Sequence, residues 1–202
     1  MKKNAGQNAP FDDLLVVDIG GTIATGYAGK LYADYGARVV NIEPENGFAT
    51  RQVGPFLANG DSALHGYLHA NKEHVVEANS LLAHPAIAAA DLVLLDPNTL
   101  PSPLSVEDFN TNVCAISWFG LNGPYAQYQA TDQAIYALIG LMQGVGKPGE
   151  PPIIQTGYHA QILGGVSAFN GSLGYLVGQH DKTNAFLLDA SILEANLCLT
   201  EL

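Results

Sequence analysis

A glycine turn that follows an apolar run is the first segment of this sequence whose residue types could do chemistry. Residues 14–17 are apolar, and DIGGT (residues 18–22) comes directly after them. The backbone N–H groups of such a turn can bind phosphate, so one interpretation is the phosphate hairpin of a DIGGT kinase-like domain. That hairpin needs a second alternating strand, whereas Tyr27, Leu31 and Tyr35 recur at helical spacing. The helix disfavours a kinase.

A dinucleotide site is a second interpretation of the same turn. Glu43 ends the next apolar run, about 20 residues after the turn, where an acid that binds a ribose would lie. Gly20, Gly21 and Gly26 do not give the GxGxxG spacing of that site. A nucleotide-binding, Rossmann-type domain therefore stays open only as an alternative.

The elements that would position these residues alternate between strands and helices along the whole chain, which predicts an α/β fold with a mostly parallel sheet and flanking helices. Parallel strands place a ligand crevice at their carboxyl ends. The glycine-rich stretch between residues 44 and 71 is predicted to be a long ordered excursion. The predicted strands are 14–20, 37–43, 75–79, 91–96, 113–119 and the start of 184–202, and the predicted helices are 25–36, a broken 80–90, 131–146, 158–179 and the end of 184–202.

Four glycines inside the long helix at 158–179 predict close packing. Gly164, Gly165, Gly171 and Gly174 each cost about 1 kcal/mol relative to alanine in a helix. Such a cost is offset where a neighbour or a ligand approaches the backbone. At the other helix ends, Gly36 is the expected stop of the helix that begins after the DIGGT turn, and Asp189 is the expected N-cap of the last helix, with Glu194 in its first turn.

Composition excludes several classes of function. The 202 residues carry a formal charge of −11, so the overall field repels nucleic acid. Residues 1–10, predicted to be a flexible N-terminus, lack the apolar stretch of a secretory signal, and no segment is long enough to cross a membrane. A cytoplasmic chain is expected, with residues 11–202 as one domain. Cys114 and Cys198 lie in apolar settings without metal-ligand spacing, which predicts buried free thiols and no metal site.

Taken in order, several segments resemble the class III CoA-transferases, a family that also contains α-methylacyl-CoA racemases. The similar segments are VVDIGGTIATGYAGKLYADYGARVVNIEPENGFATRQVGPF, HANKEHVV, ISWFGLNGPYAQY, TDQAIYALIGLM and FLLDASILEA. The resemblance covers roughly the first half of the family's length. It implies a Rossmann-like large domain without the family's small domain, acyl-CoA as a substrate without a metal, and an interlocked dimer, formed either with a second copy or with a second CoA-transferase-like half.

The resemblance also assigns a catalytic position that this sequence fills differently. In the transferase branch an ionised Asp attacks the thioester and forms an acyl-enzyme anhydride. AQILGG (residues 160–165) matches that stretch, and Gln161 occupies the position of the Asp. A neutral amide is a very poor nucleophile. The sequence therefore predicts a class III CoA-transferase-like protein with altered catalysis.

The racemase branch needs an acid/base pair, and this chain alters that pair as well. Thr131 stands where the family has a histidine, and Asp132 matches the residue that follows it. His159, two positions before Gln161, is a substitute base if the chemistry has moved. A lone histidine beside glycines is more often structural. The alternative from another functional class is a noncatalytic scaffold or partner half of a split or tandem CoA-transferase.

The resemblance places CoA contacts at six positions. Ile23 and Ala24 match the loop that lines the pantetheine channel, while Arg51 and Lys72 are the cations available to phosphate. Lys72 has an equally weighted alternative as a solvated surface lysine. The last two positions match an Asn-Phe pair of the family, and the first of them is an acid here, which would repel CoA phosphates. These two are Asp96 and Pro97.

Overall fold

Six strands form one parallel sheet in the structure, a computed structural model that describes residues 9–76, 81–178 and 184–200. The strands are β1 (Leu15–Asp18), β2 (Arg38–Glu43), β3 (Glu73–Val76), β4 (Leu92–Leu95), β5 (Val113–Ser117) and β6 (Leu187–Ser191). The helices are α1 (Ile23–Asp34), α2 (Ala63–Leu68), α3 (Pro85–Ala89), α4 (Asp132–Leu138), α5 (His159–Gly178) and α6 (Ile192–Leu197). The strand order is β3-β2-β1-β4-β5-β6, and every neighbouring pair is parallel. The predicted α/β sheet with flanking helices is confirmed.

Both faces of the sheet are covered, which explains the continuous apolar runs of its central strands. Successive residues of a strand point to opposite faces. Val16 belongs to the cluster that contains Tyr32 of α1 and Phe169 of α5. Val17 belongs to the other cluster, with Ile87 of α3 and Phe109. A buried, two-sided sheet gives the loops at its carboxyl edge a rigid base.

Helix α1 begins and ends on local signals. Thr22 Oγ1 accepts a hydrogen bond from the Thr25 backbone N–H at 3.3 Å, and Thr25 Oγ1 accepts one from the Thr22 N–H at 3.2 Å. This reciprocal pair satisfies two free N–H groups at the helix start. Gly36, with φ of 101°, ends the helix as predicted. The DIGGT turn is therefore part of a strand, loop and helix unit.

Helix α5 packs closely on α1 and α6 through its glycines, as the sequence predicted. A Cβ atom on Gly165 would lie 2.6 Å from the Ala24 carbonyl oxygen in α1. A Cβ on Gly164 would lie 2.7 Å from an Ile192 side-chain atom in α6. A Cβ atom on Gly174 would have no other atom within 4 Å. The prediction of close packing is thus confirmed for the first two glycines and wrong for Gly174.

Several predicted boundaries are wrong for local reasons. Residues 44–71 contain a 3-10 helix at Ala49–Gln52 and helix α2, because Ser62 caps α2 by accepting from the His65 N–H. The helix predicted over 131–146 ends at Leu138, since Gly140 adopts φ of 79° and a 3-10 turn follows. The last helix has Ser191 as its N-cap, and Asp189 lies in β6 instead. The third strand begins at Glu73, two residues before its predicted start, and its predicted residues 77–79 lie outside the described part.

The structure bears in part on the predictions about membrane spans, the N-terminus and the domain. Within the described residues, no helix combines the length and the apolar character that a membrane span needs. Residues 1–8 of the predicted flexible N-terminus lie outside the described ranges. The assignment of residues 11–202 to one domain and the cytoplasmic location remain predictions.

The two cysteines differ in exposure, which corrects the prediction that both are buried. Cys114 lies in β5 inside the core, whereas Cys198 is exposed after α6. Burial, and then the charge of Asp189, raise the pKa of Cys114 well above the ordinary thiol value. We expect iodoacetamide to label only Cys198 in the native protein and both thiols after unfolding, as read by mass spectrometry. Equal labelling rates in the native state would contradict the placement of Cys114.

Candidate functional site

A cleft of about 750 Å³ opens at the carboxyl ends of the strands, where the sequence predicted a ligand crevice. Its walls come from the segments after β1, β2, β4 and β5, together with residues near the start of α5. The lining residues are Ile19 to Ile23, Pro44, Asn46 to Thr50, Gln52, Val53, Asp96, Asn98, Thr99, Trp118, Gln129, Tyr158 and Gln161. This volume is large enough for a cofactor-sized ligand.

The cleft lies at the point where the strand order reverses. Strand β1 is central, with β2 on one side and β4 on the other, so the chain leaves β1 and β4 in opposite directions and opens a crevice between them. Thr99 Oγ1, after β4, donates to the Gly20 carbonyl oxygen at 2.9 Å across this crevice. That bond fixes the DIGGT turn against the opposite wall.

The cleft is rich in side-chain amides and poor in charge. Among its lining residues in the described part of the chain, Asp96 is the only Asp, Glu, Lys, Arg or His. Burial raises the pKa of Asp96, while hydrogen bonds from the Asn98 backbone and side chain act in the opposite direction. An anionic ligand group thus finds amides and backbone, but no cation, on these walls.

Gln161, the residue at the predicted nucleophile position, lies in the first turn of α5 and lines the cleft. Its side-chain Nε2 donates to Asp132 Oδ2 at 2.8 Å, and its backbone N–H donates to Asp132 Oδ1 at 3.1 Å. Asp132 is buried at the start of α4. The two predicted site residues are therefore in direct contact, and an amide, not a carboxylate, faces the cleft.

The other predicted catalytic residues lie around this pair in different roles. Thr131 caps α4, its hydroxyl accepting from the Ala134 N–H at 3.3 Å. His159 is exposed at the start of α5 and does not belong to the cleft lining within the described residues. The Tyr136 hydroxyl accepts from the Ala160 N–H at 3.0 Å, which ties α4 to α5. The structure thus does not bring His159 into the cleft.

Of the predicted CoA contacts, Ile23 and Asp96 line the cleft. Ala24 and Pro97 follow them in sequence but are absent from the lining of the described cleft. The Ala24 carbonyl oxygen instead faces Gly165 of α5. The predicted channel loop therefore contributes its first residue to the cleft and its second to helix packing.

Lys72 is neither exposed nor directed at the cleft, so its alternative as a solvated surface lysine is wrong. Its side chain has no accessible surface, and neither has that of Asp18. Lys72 Nζ lies 3.2 Å from Asp18 Oδ2 and donates to the Gly26 carbonyl oxygen at 2.9 Å. Burial lowers the pKa of Lys72, and Asp18 opposes that effect. The pair ties the end of β1 to α1 and to the turn before β3.

Arg51 is held by Glu43 on the outer side of the cleft wall. Arg51 Nε and one terminal nitrogen each donate to a Glu43 carboxylate oxygen at 2.7 Å, and the Phe48 N–H donates to Oε2 at 3.1 Å. Burial by itself raises the pKa of Glu43, but hydrogen bonds from Arg51, His74 and Phe48 lower it to about 2. The Arg51 side chain keeps 43% of its surface exposed, so it is the half-exposed cation beside lining residues Thr50 and Gln52.

Three histidines gather beside Glu43, a cluster that the sequence analysis missed. One donor atom from each of Glu43, His65 and His74 lies within 4.8 Å of the others. The His65 and His69 rings are 4.3 Å apart between centroids. The three histidines come from α2, the residue after it and β3, and Glu43 comes from β2, so their separation in sequence hides the cluster. Only the spacing of His65 and His69, four apart on one helical face, could have indicated it.

The pKa values of two of these rings predict acid destabilisation. Burial, then Arg51 and other charges, lower the pKa of His65 from 6.5 to about 4; burial, then Lys72, lowers that of His69 to about 2. In the unfolded chain these histidines bind protons near pH 6.5, whereas in the folded chain they stay neutral to a lower pH. The stability that is present above pH 6.5 is therefore lost as the pH falls.

We expect the free energy of unfolding to fall from pH 7 to pH 5, by up to about 1.4 kcal/mol per pH unit for each proton. Urea titrations at several pH values measure this slope. His69→Gln should reduce the slope of stability against pH. Phe48→Leu, which alters the ring packed on His69, should lower the free energy of unfolding but leave that slope unchanged. The same slope in His69→Gln and in the wild-type protein would contradict the prediction.

Sequence reasoning also missed several lining residues. Trp118 directly follows β5, where the rule of the carboxyl edge could have found it. Gln129 lies in the long connection before α4, which gives no periodic signal, whereas Tyr158 was predicted only as the first residue of the helix at 158–179. Asn98 lies beside the predicted Asp96 and Pro97 and gave no signal of its own.

Comparison with known proteins agrees with this fold. The family model CoA-transferase family III matches residues 11–78 and 112–202. Acetyl-CoA:oxalate CoA-transferase of Acetobacter aceti is 29% identical over 210 residues, which cover 95% of this chain and 53% of that protein. Succinyl-CoA--L-malate CoA-transferase alpha subunit of Chloroflexus aurantiacus is 25% identical, with 94% of this chain and 48% of the relative covered.

A solved structure shares the same architecture. The crystal structure of a CAIB/BAIF family protein from Brucella suis superposes with a TM-score of 0.82 at 25% identity, covering 96% of this chain and 56% of that protein. This chain spans about half the length of the curated relatives it matches. The resemblance drawn from the sequence segments is confirmed by the family model over most of the chain. The chain belongs to CoA-transferase family III.

Proposed function

We propose that the cleft binds the pantetheine arm of an acyl-CoA. We also propose that this chain does not form a covalent acyl-enzyme, because Gln161 stands where the family has its nucleophile. The observation that carries the proposal is the contact of Gln161 with Asp132 at the start of α5, on the cleft wall. A family transferase needs a carboxylate nucleophile there, and an amide whose nitrogen is engaged by Asp132 cannot attack a thioester.

The chemistry of the walls supports an acyl-CoA over a free nucleotide. Pantetheine carries two amide groups and no charge, and the cleft offers amide side chains and glycine backbone as hydrogen-bonding partners. These amides are Asn46, Gln52, Asn98, Gln129 and Gln161. The phosphates of CoA find no cation among the lining residues. Arg51, half-exposed beside the wall, is the cation we assign to them, as the sequence analysis expected.

Calorimetric titration tests the binding part of this proposal. We expect CoA to bind with a dissociation constant in the micromolar range, about −8 kcal/mol, and pantetheine to retain a measurable part of that affinity. Asn98→Trp, at an exposed cleft position, should weaken CoA binding at least about tenfold. Asn110→Trp, exposed and outside the cleft lining, is the matched control. Equal affinities of the two variants, or no heat of binding, would contradict the proposed cleft.

A second candidate function is that of a noncatalytic partner in a larger CoA-transferase. A relative is an alpha subunit by name, and the site that this chain contributes has an amide where the family has a nucleophile. Strand β6 ends the described sheet, and Leu187 on it is 48% exposed. An exposed apolar edge strand favours pairing with another chain.

Light scattering after gel filtration tests the partner role. We expect a dimer, either of two copies or with a second half, and we expect Leu187→Lys to shift the protein towards monomer. Leu57→Lys, at a position that is 55% exposed and far from β6 in the chain, is the control. A monomer at every concentration, with no second chain in the purified sample, would contradict this candidate.

A further inference from the structure

We propose that Glu43, His65 and His74 bind a divalent transition-metal ion such as Zn²⁺, which fastens the outer wall of the cleft to the edge of the sheet. The three side chains come from β2, α2 and β3. Their donor atoms lie within 4.8 Å of one another in the described structure. Two imidazoles and one carboxylate are a ligand set typical of zinc, with a fourth position for water.

An ion requires only modest shifts of the three side chains, because one pair of donor atoms has to open and His65 has to approach. Zinc binds nitrogen and oxygen ligands at about 2.0–2.1 Å, which puts tetrahedral donors about 3.3 Å apart. His74 Nδ1 and Glu43 Oε1 are 2.7 Å apart, a hydrogen-bond distance, so this pair has to open by about 0.6 Å to admit the ion. An ion between them takes the Nδ1 lone pair, and the ring then carries its proton on Nε2. Since one donor atom of each residue lies within 4.8 Å of the others, no pair of these atoms has to close by more than about 1.5 Å.

A hydrogen bond orients His65 for this role. His65 Nδ1 lies 2.9 Å from Thr50 Oγ1, which leaves Nε2 as the ring nitrogen for the ion. Ligating histidines commonly use their second nitrogen in such a bond, because it fixes the tautomer and the ring plane. The His69 ring lies beside that of His65, tilted by 37°. His69 Nδ1 instead accepts from Asn41 Nδ2 at 2.8 Å, so His69 supports the site from behind.

The solvent entrance to the metal cluster and the cation that competes for Glu43, Arg51, both lie on the side of the cluster that faces solvent. The His74 side chain is 36% exposed, so an ion reaches the cluster from solvent. Arg51 donates to both Glu43 oxygens. An ion at Oε1 replaces one of these bonds, and Oε2 keeps those from Arg51 Nε and the Phe48 N–H. The half-exposed Arg51 side chain can turn its terminal nitrogen towards water.

An ion here would act on the cleft through two lining residues. Phe48 donates to Glu43, and Thr50 contacts His65, while both residues line the cleft. The ion would therefore stabilise the segment from Pro44 to Val53 without entering the cleft. The site shares Arg51 with the assigned phosphate contact but makes no use of Gln161, and its test measures metal binding without acyl-CoA, so the two proposals fail or succeed separately.

Titration with Co²⁺ tests the site, because cobalt in a zinc position gives visible absorption bands. The untagged chain of 202 residues, stripped with a chelator, should bind one Co²⁺ with such bands, and Zn²⁺ should displace it. His74→Ala and His65→Ala should each weaken Co²⁺ binding by at least about tenfold, since even outer partners of a metal are worth that much. His84 caps α3 and does not belong to the cluster in the described structure. His84→Asn, which keeps a capping side chain, should bind Co²⁺ as the wild type does.

His65 is buried, so His65→Ala could unfold the chain, and circular dichroism of each variant would show this. In that case the exposed variants His74→Ala and His74→Gln carry the test. Loss of the bands in both, with the native spectrum kept, supports the site. Unchanged Co²⁺ affinity in both His74 variants, or equal loss in His84→Asn, would overturn it.

Discussion

Replacing Lys72 with methionine is expected to lower the free energy of unfolding by about 3–5 kcal/mol, because it leaves the buried Asp18 carboxylate without its cation. Both side chains are fully buried. The ammonium also donates to the Gly26 carbonyl oxygen, so the variant loses a bond to the α1 backbone as well. Urea unfolding followed by circular dichroism measures the change.

The matched control is an exposed ion pair on the same sheet. Arg38 and Glu73 contact each other at 2.8 Å with side chains that are 62% and 54% exposed. Arg38→Met should leave the urea midpoint close to that of the wild-type protein, because solvent screens an exposed ion pair. The double variant Asp18→Asn with Lys72→Met should recover part of the loss, since the uncompensated charge is gone. If Lys72→Met cost no more than Arg38→Met, the buried pair would not have the role assigned to it.

Gly165→Ala is expected to destabilise the protein by about 2–3 kcal/mol, although the same change stabilises most helices. The added methyl would lie 2.6 Å from the Ala24 carbonyl oxygen and 3.2 Å from Tyr27 Cβ. The nearest of these atoms is backbone and cannot rotate away, so α1 and α5 would have to separate. The loss would appear as a lower urea midpoint with an unchanged slope.

Gly174→Ala in the same helix is the control for that prediction. Nothing lies within 4 Å of the position that its methyl would take, so only the gain in helix propensity remains. We expect a stabilisation of about 0.5–1 kcal/mol. Opposite signs at the two glycines would confirm close helix packing as the reason for Gly165. A stabilisation at both positions would contradict it.

Local signals in the sequence predicted the fold well because each acts over a few residues. The apolar runs at β1 and β4, the helical spacing after DIGGT and the stop at Gly36 all lie where the structure has them. Boundaries failed where a competing local bond decided them. Ser191, not Asp189, caps α6 because the Asp189 carboxylate lies in β6 and accepts from the Leu121 N–H.

The candidate site was predictable only where it lies in the matching motifs. Gln161 and Asp132 were chosen from separate segments, and the structure brings them into contact. Lys72 was expected at the surface or on phosphate, because no sequence pattern shows that Asp18, 54 residues away, faces it. The histidine cluster was missed for the same reason, since the pairing of β2 with β3 is what places His74 beside Glu43.

The central claim, that Gln161 at the cleft prevents covalent transfer, is tested most directly by mass spectrometry after incubation with an acyl-CoA. The account predicts no acyl adduct on the wild-type protein. Gln161→Asp places a carboxylate at the same helix position and should acquire an adduct that hydroxylamine removes. A hydroxylamine-sensitive adduct on the wild-type chain would contradict the account, and so would the absence of an adduct in both proteins.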